Sequence, residues 1–191
     1  MWKRLSDGIQ RISTGWVTLA ALVFFLAFTA LVLPRQAAQA EADAGGADSP
    51  DMSFFYSAAE LYDMAKAYGS EGRAAYVRAR FTFDLVWPLV YTVFLCTSIS
   101  WVYARAFPRH SAWQRANLAP LLGALFDYLE NLSTSLVMLR YPAQTVGVDW
   151  LAPIWTLIKW ILVYGSFALL VIGVAVGIIS GIWRRIKKRR A

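Results

Sequence analysis

LLGALFDYLENLSTSLVMLR, residues 121–140, has the length and apolar content of a membrane-crossing helix, yet it carries Asp127, Glu130 and Asn131 within two turns. At about 100° per residue, Pro120, Gly123, Asp127, Glu130, Asn131, Thr134 and Met138 fall within one arc about 100° wide. Leu121, Leu125, Leu129 and Leu132 fall elsewhere. A carboxylate near the centre of a membrane helix costs about 2.5–3.5 kcal/mol on insertion scales. A polar face of this kind must therefore look toward other helices or a partner rather than toward lipid. The stretch predicts a helical bundle with a polar interior.

The rest of the chain supplies the other helices. Of 191 residues, 58% are hydrophobic and 16% charged, against about 25% charged in an average soluble domain. The apolar residues come in four runs: Trp16–Leu33, Phe81–Tyr103, Leu118–Leu139 and Leu151–Trp183. Each approaches or exceeds the roughly 20 residues that cross a bilayer as a helix. The expected fold is all-α, a polytopic membrane four-helix bundle with a short amphipathic helical hairpin on its outer face.

Charge sets the expected orientation. The net charge of +7 resembles that of a nucleic-acid binder, but its distribution follows the runs. Lys3, Arg4 and Arg11 precede the first run. Arg105, Arg109 and Arg115 separate the second from the third, and Arg184, Arg185, Lys187, Lys188, Arg189 and Arg190 follow the fourth. Four crossings put all of these on one side, which the positive-inside rule makes cytoplasmic. Both termini then lie in the cytoplasm, the basic tail meets anionic headgroups, and no nucleic-acid partner is expected.

The boundaries follow from local signals. Residues 1–15 read as a basic cytoplasmic lead-in, 16–33 as the first span and 34–51 as a flexible outer linker of small, polar and acidic residues. Residues 52–80 read as amphipathic helices on the outer face. Ser57 and Glu60 form a capping-box pattern there; Gly69 ends the first helix and Ser70 caps the second. Residues 81–104 form the second span, 105–117 a cytoplasmic loop and 118–140 the third span. Residues 141–150 form an outer loop, 151–183 the fourth span and 184–191 the basic cytoplasmic tail. Ala38-Gln39-Ala40 resembles a signal-peptidase site, but the first run exceeds the roughly 7–15 residues of a signal core, so it is read as a retained span; cleavage, the open alternative, would leave three spans.

Two other spans have polar faces. Asp84, Pro88, Tyr91 and Ser98 share one side of the second span; Thr156, Lys159, Ser166, Gly173, Gly177 and Gly181 share one side of the fourth. The three glycines form a small-residue ladder that suits close helix packing. Glu130, Asn131 and Lys159 lie in the outer halves of their spans, and Asp84 about one turn inside the outer edge. The expectation is a polar pocket opening outward, lined by Asp84, Pro88, Tyr91, Asp127, Glu130, Asn131, Thr134, Thr156 and Lys159. Three alternatives stay open: Lys159 snorkelling to the headgroups, Asp84 lying at the interface near Arg78 and Arg80, and a Lys–carboxylate network that fixes packing and binds nothing.

Little else offers chemistry. One cysteine (Cys96) and one histidine (His110) provide neither a zinc set nor a nucleophile–base pair. There is no Walker loop or dinucleotide fingerprint, so no metal or cofactor is expected. Asp127 and Glu130, carboxyls three residues apart, suit ligand binding or proton relay.

The run YSAAELYDMAKAYGSEGRAAY, followed by Asp84, Pro88 and Tyr91, then DYLEN, then Thr156 and Lys159, resembles small uncharacterised four-span bacterial membrane proteins. That resemblance covers about residues 54–165 and implies a bacterial inner (plasma) membrane without implying an activity. The layout is also similar to the EXPERA-type four-helix proteins, which include the sigma-two receptor and sterol isomerases. In those proteins membrane acids contact cationic amines or steroid-like ligands. The isomerases use a histidine in the cavity, and no span here contains one. The function expected is binding of a lipid, small amphiphile or partner helix; the alternative is a proton- or ion-coupled transport component, with a homo-oligomer or membrane partner.

Overall fold

A computed structural model describes residues 1–190; Ala191, the end of the expected tail, lies outside them. The chain is helical, and there is no strand among the described residues. Its helices are α1 (Trp2–Ile12), α2 (Gly15–Leu31), α3 (Leu33–Ala44), α4 (Ala58–Ala67), α5 (Gly69–Arg80), α6 (Phe83–Ala106), α7 (Ala119–Arg140) and α8 (Val148–Arg190). Short 3-10 turns occupy Pro50–Met52 and Ala112–Leu118.

Three helical stretches are long and apolar enough to cross a membrane: Gly15–Ala44, Gly69–Ala106 and Val148–Lys187. The helix of the opening stretch, α7, is not among them, because its inward polar face lowers the hydropathy of all 22 residues. The core is α6, α7 and α8, with α7 and α8 packed together most extensively. Helix α6 is central. Its Leu95, Ile99 and Tyr103 are fully buried, and its Phe94 stacks on Phe25 of α2 at 4.4 Å between ring centroids. Helix α2 is peripheral and buries none of its own residues.

The two ends of this core are built differently. At one end, called here the basic end, α1 packs on the 112–118 turn and on α6. Ser6, fully buried, ties it there by donating to Asn117 Oδ1 at 2.8 Å. Residues 1–15 are thus a docked helix as well as a basic lead-in. At the other end, the cap end, α3, α4 and α5 cover the last turns of α7 and the first of α8. Leu61, Ala65, Tyr68 and Tyr76 bury against Val137, Met138 and Ala152. Fully burying a side chain such as Leu61 contributes about 1.5–3 kcal/mol.

Several boundaries move. The expected flexible linker 34–51 holds α3 and an ordered turn. Its AAQAEADA sequence is rich in the best helix former, and Pro34 sits in the first turn, where its missing N–H costs nothing. The capping box forms as expected: Glu60 N–H donates to Ser57 Oγ and Ser57 N–H to Glu60 Oε2. Ser70 caps nothing; α5 starts directly from Gly69, whose φ of 62° makes a tight corner that a Cβ would strain. Helix α8 begins inside the expected outer loop, and its 43 residues span about 65 Å. It leaves the core near Gly177 and continues past the basic end.

Candidate functional site

The sequence places a polar face on α7; the structure places buried charge against it from three directions. Six ionisable side chains meet at the cap end: Asp51, Arg80, Asp84, Asp127, Glu130 and Lys159. All but Asp51 are at most 8% exposed.

Glu130, fully buried, is ion-paired with Lys159 of α8. Thr156 Oγ1 lies 2.8 Å from Glu130 Oε1 and 3.0 Å from the Tyr56 hydroxyl; donating to the carboxylate, it accepts from the phenol. Burial, then the nearby Glu130 charge, push the Tyr56 phenol above its ordinary value, which keeps it a proton donor. Lys159 Nζ also stands 3.8 Å from Asp51 Oδ1. The same Asp51 carboxylate pairs with Arg80. Arg80 Nε lies 3.0 Å from Asp84 Oδ2, too far out of line for a hydrogen bond. The guanidinium rests on the Tyr76 ring at 4.5 Å.

Asp127 sits apart from the cations. Tyr91 donates to its Oδ2 at 2.9 Å and Asn131 Nδ2 to its Oδ1 at 3.3 Å. Asn131 Oδ1 makes no hydrogen bond although Asn131 is 5% exposed, and neither does the buried Ser135 hydroxyl. Thr134 turns its hydroxyl back to the Glu130 carbonyl at 2.9 Å. Pro88 removes the N–H that would bond the Asp84 carbonyl one turn earlier. Nearby, Tyr128 donates to the Leu85 carbonyl at 2.9 Å.

Of the nine residues expected to line a pocket, the structure joins Glu130, Thr156 and Lys159 directly, and Tyr91, Asp127 and Asn131 directly. Asp84 turns to Arg80, four residues back on the chain, rather than to Lys159. The cap side of the cluster is covered by the chain itself. Residues 50–56 lie across it, with Asp51 reaching in between Arg80 and Lys159. Trp160 Nε1 donates to the Ser53 carbonyl at 3.1 Å, and Phe54 stacks on Tyr164. Met52, Phe54 and Phe55 stay exposed, at 83%, 51% and 62%.

Sequence reasoning missed Asp51 and Tyr56, and set Arg80 near Asp84 only as an interfacial alternative to the pocket. The four-residue spacing of Arg80 and Asp84 was a readable signal; Asp51 and Tyr56 had none, since only tertiary packing brings them in. In the glycine series, a Cβ at Gly173 would run into the Tyr103 ring, one at Gly177 would meet Ala106 at 3.8 Å, and one at Gly181 would meet nothing. No group of three or more His, Cys, Asp or Glu is arranged to hold a metal ion among the described residues. Comparison with protein-family models, curated proteins and solved structures returned no match.

Proposed function

We propose that the chain is a four-span integral membrane protein of a bacterial inner membrane that works by binding, and that its polar centre receives a lipid or small amphiphile. Spans α2, α6, α7 and α8 cross, with α1 and the basic tail on the cytoplasmic side and the α3–α5 cap outside. The polar face of α7 is compatible with crossing because it is buried against its neighbours. Exposed Val23, Phe24, Leu26, Leu89, Val93, Ile161 and Val171 supply a lipid-facing surface on α2, α6 and α8.

One observation carries the binding reading. The charge cluster lies at the cap end, and what separates it from the outside is a short segment carrying three exposed apolar side chains. An amphiphile brings the same combination, a polar head for the cluster and an apolar tail for the lipid-facing surface. Native mass spectrometry of the protein extracted in a neutral detergent tests it. Retained lipid or amphiphile in the unsubstituted protein, lost in Glu130→Leu/Lys159→Met, supports the reading; equal retention contradicts it.

A second reading rests on a different observation. Four carboxyls gather with two cations, the hydroxyls of Thr156 and Tyr91 reach Glu130 and Asp127, and the Tyr56 hydroxyl reaches Thr156. Such an arrangement suits a proton-coupled component. Proton uptake in proteoliposomes, abolished by Asp127→Asn, would favour it; uptake no faster than in empty vesicles would remove it.

A further inference from the structure

We infer that the Arg80–Lys159 pair is an anion-binding site held shut by the chain's own Asp51, and that the ligand's polar part is a carboxylate or phosphate. The inference rests on the binding reading above and specifies its headgroup.

Arg80 and Lys159 are 6% and 5% exposed, from different helices, and converge on one carboxylate. Asp51 comes from neither helix but from a turn in a thirteen-residue connection, 45–57, between α3 and α4. Its side chain is the most exposed of the four linked residues, at 23% against 11% or less for Arg80, Asp84 and Lys159. The connection starts with Gly45 and Gly46 at φ of 61° and 82°, two left-handed residues that leave its start free of Cβ constraints. Glycine there gives the segment a place to swing.

Charge favours exchange over simple addition. With Asp51 in place the cluster already holds four carboxyls against two cations, so adding a further anion beside Asp51 would be costly. Replacing its carboxylate by an incoming anion keeps the balance of the cluster unchanged. Phe54, stacked on Tyr164 of α8, is part of what holds the segment over the cluster. Arginine suits a two-oxygen anion through its fork of donors, and lysine adds a point charge.

The test uses the full-length protein in nanodiscs of phosphatidylglycerol or of phosphatidylcholine, and in neutral detergent with inorganic phosphate. Retention after extraction is read by native mass spectrometry. Asp51→Asn removes the internal competitor and Asp51→Glu keeps it. Phe54→Ser/Phe55→Ser loosens the segment at exposed positions that leave the folded core alone. Both Asp51→Asn and Phe54→Ser/Phe55→Ser should retain phosphatidylglycerol about tenfold more strongly than the unsubstituted protein, as expected on weakening a tethered competitor. Asp51→Glu should match the unsubstituted protein. A rise confined to phosphatidylglycerol identifies a lipid headgroup; a matching rise for phosphate identifies a free anion, and both support the site. Equal gains for phosphatidylcholine, or none in Phe54→Ser/Phe55→Ser and folded Asp51→Asn, overturn it. Neutral lipid retained independently of Asp51 would overturn this inference alone; no lipid retained under any condition would overturn the binding reading as well.

Discussion

The two ends of the helix core solve the same problem with different chemistry. At the basic end the buried polar groups are neutral. Asn117, fully buried, accepts from Ser6 and donates to the Ser6 carbonyl and to Ser100 Oγ at 2.9 Å. Gln114 donates to the Tyr103 and Phe107 carbonyls, which closes the end of α6. Every contact there joins helix ends and turns to one another. At the cap end the buried groups are charged, the acids outnumber the bases, and polar atoms of Asn131 and Ser135 are left without partners. The neutral Ser6–Asn117–Gln114 network is enough to hold helices together. In the proposed reading, charge in excess of that need, closed by a segment with exposed apolar side chains, marks the end where an amphiphile binds.

The largest effect expected on stability is at the charged end. Lys159→Met leaves Glu130 buried without its principal partner, and should cost about 3–5 kcal/mol in thermal unfolding in detergent. Adding Glu130→Leu should recover most of that loss, because buried ion pairs are often replaceable by apolar residues of similar volume. If stability returns and lipid retention does not, the two ends differ in purpose as well as composition. If both return, the charged cluster is packing alone.

Asn117→Ala probes the neutral end. It strands Ser6 and the donors and acceptors around it, at a cost of about 2–3 kcal/mol. It should also release α1 to limited proteolysis while leaving lipid retention unchanged. Gly173→Ala, between the two ends, should cost about 1–3 kcal/mol by overpacking against Tyr103, whose hydroxyl is fixed to the Leu169 carbonyl. Gly181→Ala should stay within about 0.5 kcal/mol.

The smallest effect is at the cap surface. The Ser57 backbone N–H, then its hydroxyl, hold the Glu60 carboxyl below its ordinary value. Its folded value being the lower, this contribution to α4 is present above the ordinary carboxylate range and fades as pH falls through the lowered value. An NMR titration should show the Ser57 amide shift following Glu60 across that window, with the Asn117 amide unmoved.

Much of this was legible in the sequence, for identifiable reasons. Periodicity on α7 located Asp127, Glu130 and Asn131, because a buried helical face leaves a repeat of 3.6 residues. The same logic found Thr156 and Lys159 on α8. The capping box was local and therefore readable. Helix α3 was misread because short alanines with scattered acids look like linker composition although alanine favours helix. Asp51 was beyond reach because its role depends on a turn meeting two helices distant in the chain. The covering of the cap side was likewise hidden, since hydrophobic patterning shows which face is polar but not what covers it.

Hydrogen exchange of the unsubstituted protein, in phosphatidylglycerol against phosphatidylcholine nanodiscs, compares the ends in one experiment. Exchange of residues 45–57 should rise in phosphatidylglycerol as headgroups displace Asp51, while residues 112–118 stay unchanged. Equal protection of 45–57 in both lipids, or a matching change at both ends, would contradict the assignment of binding to the charged end.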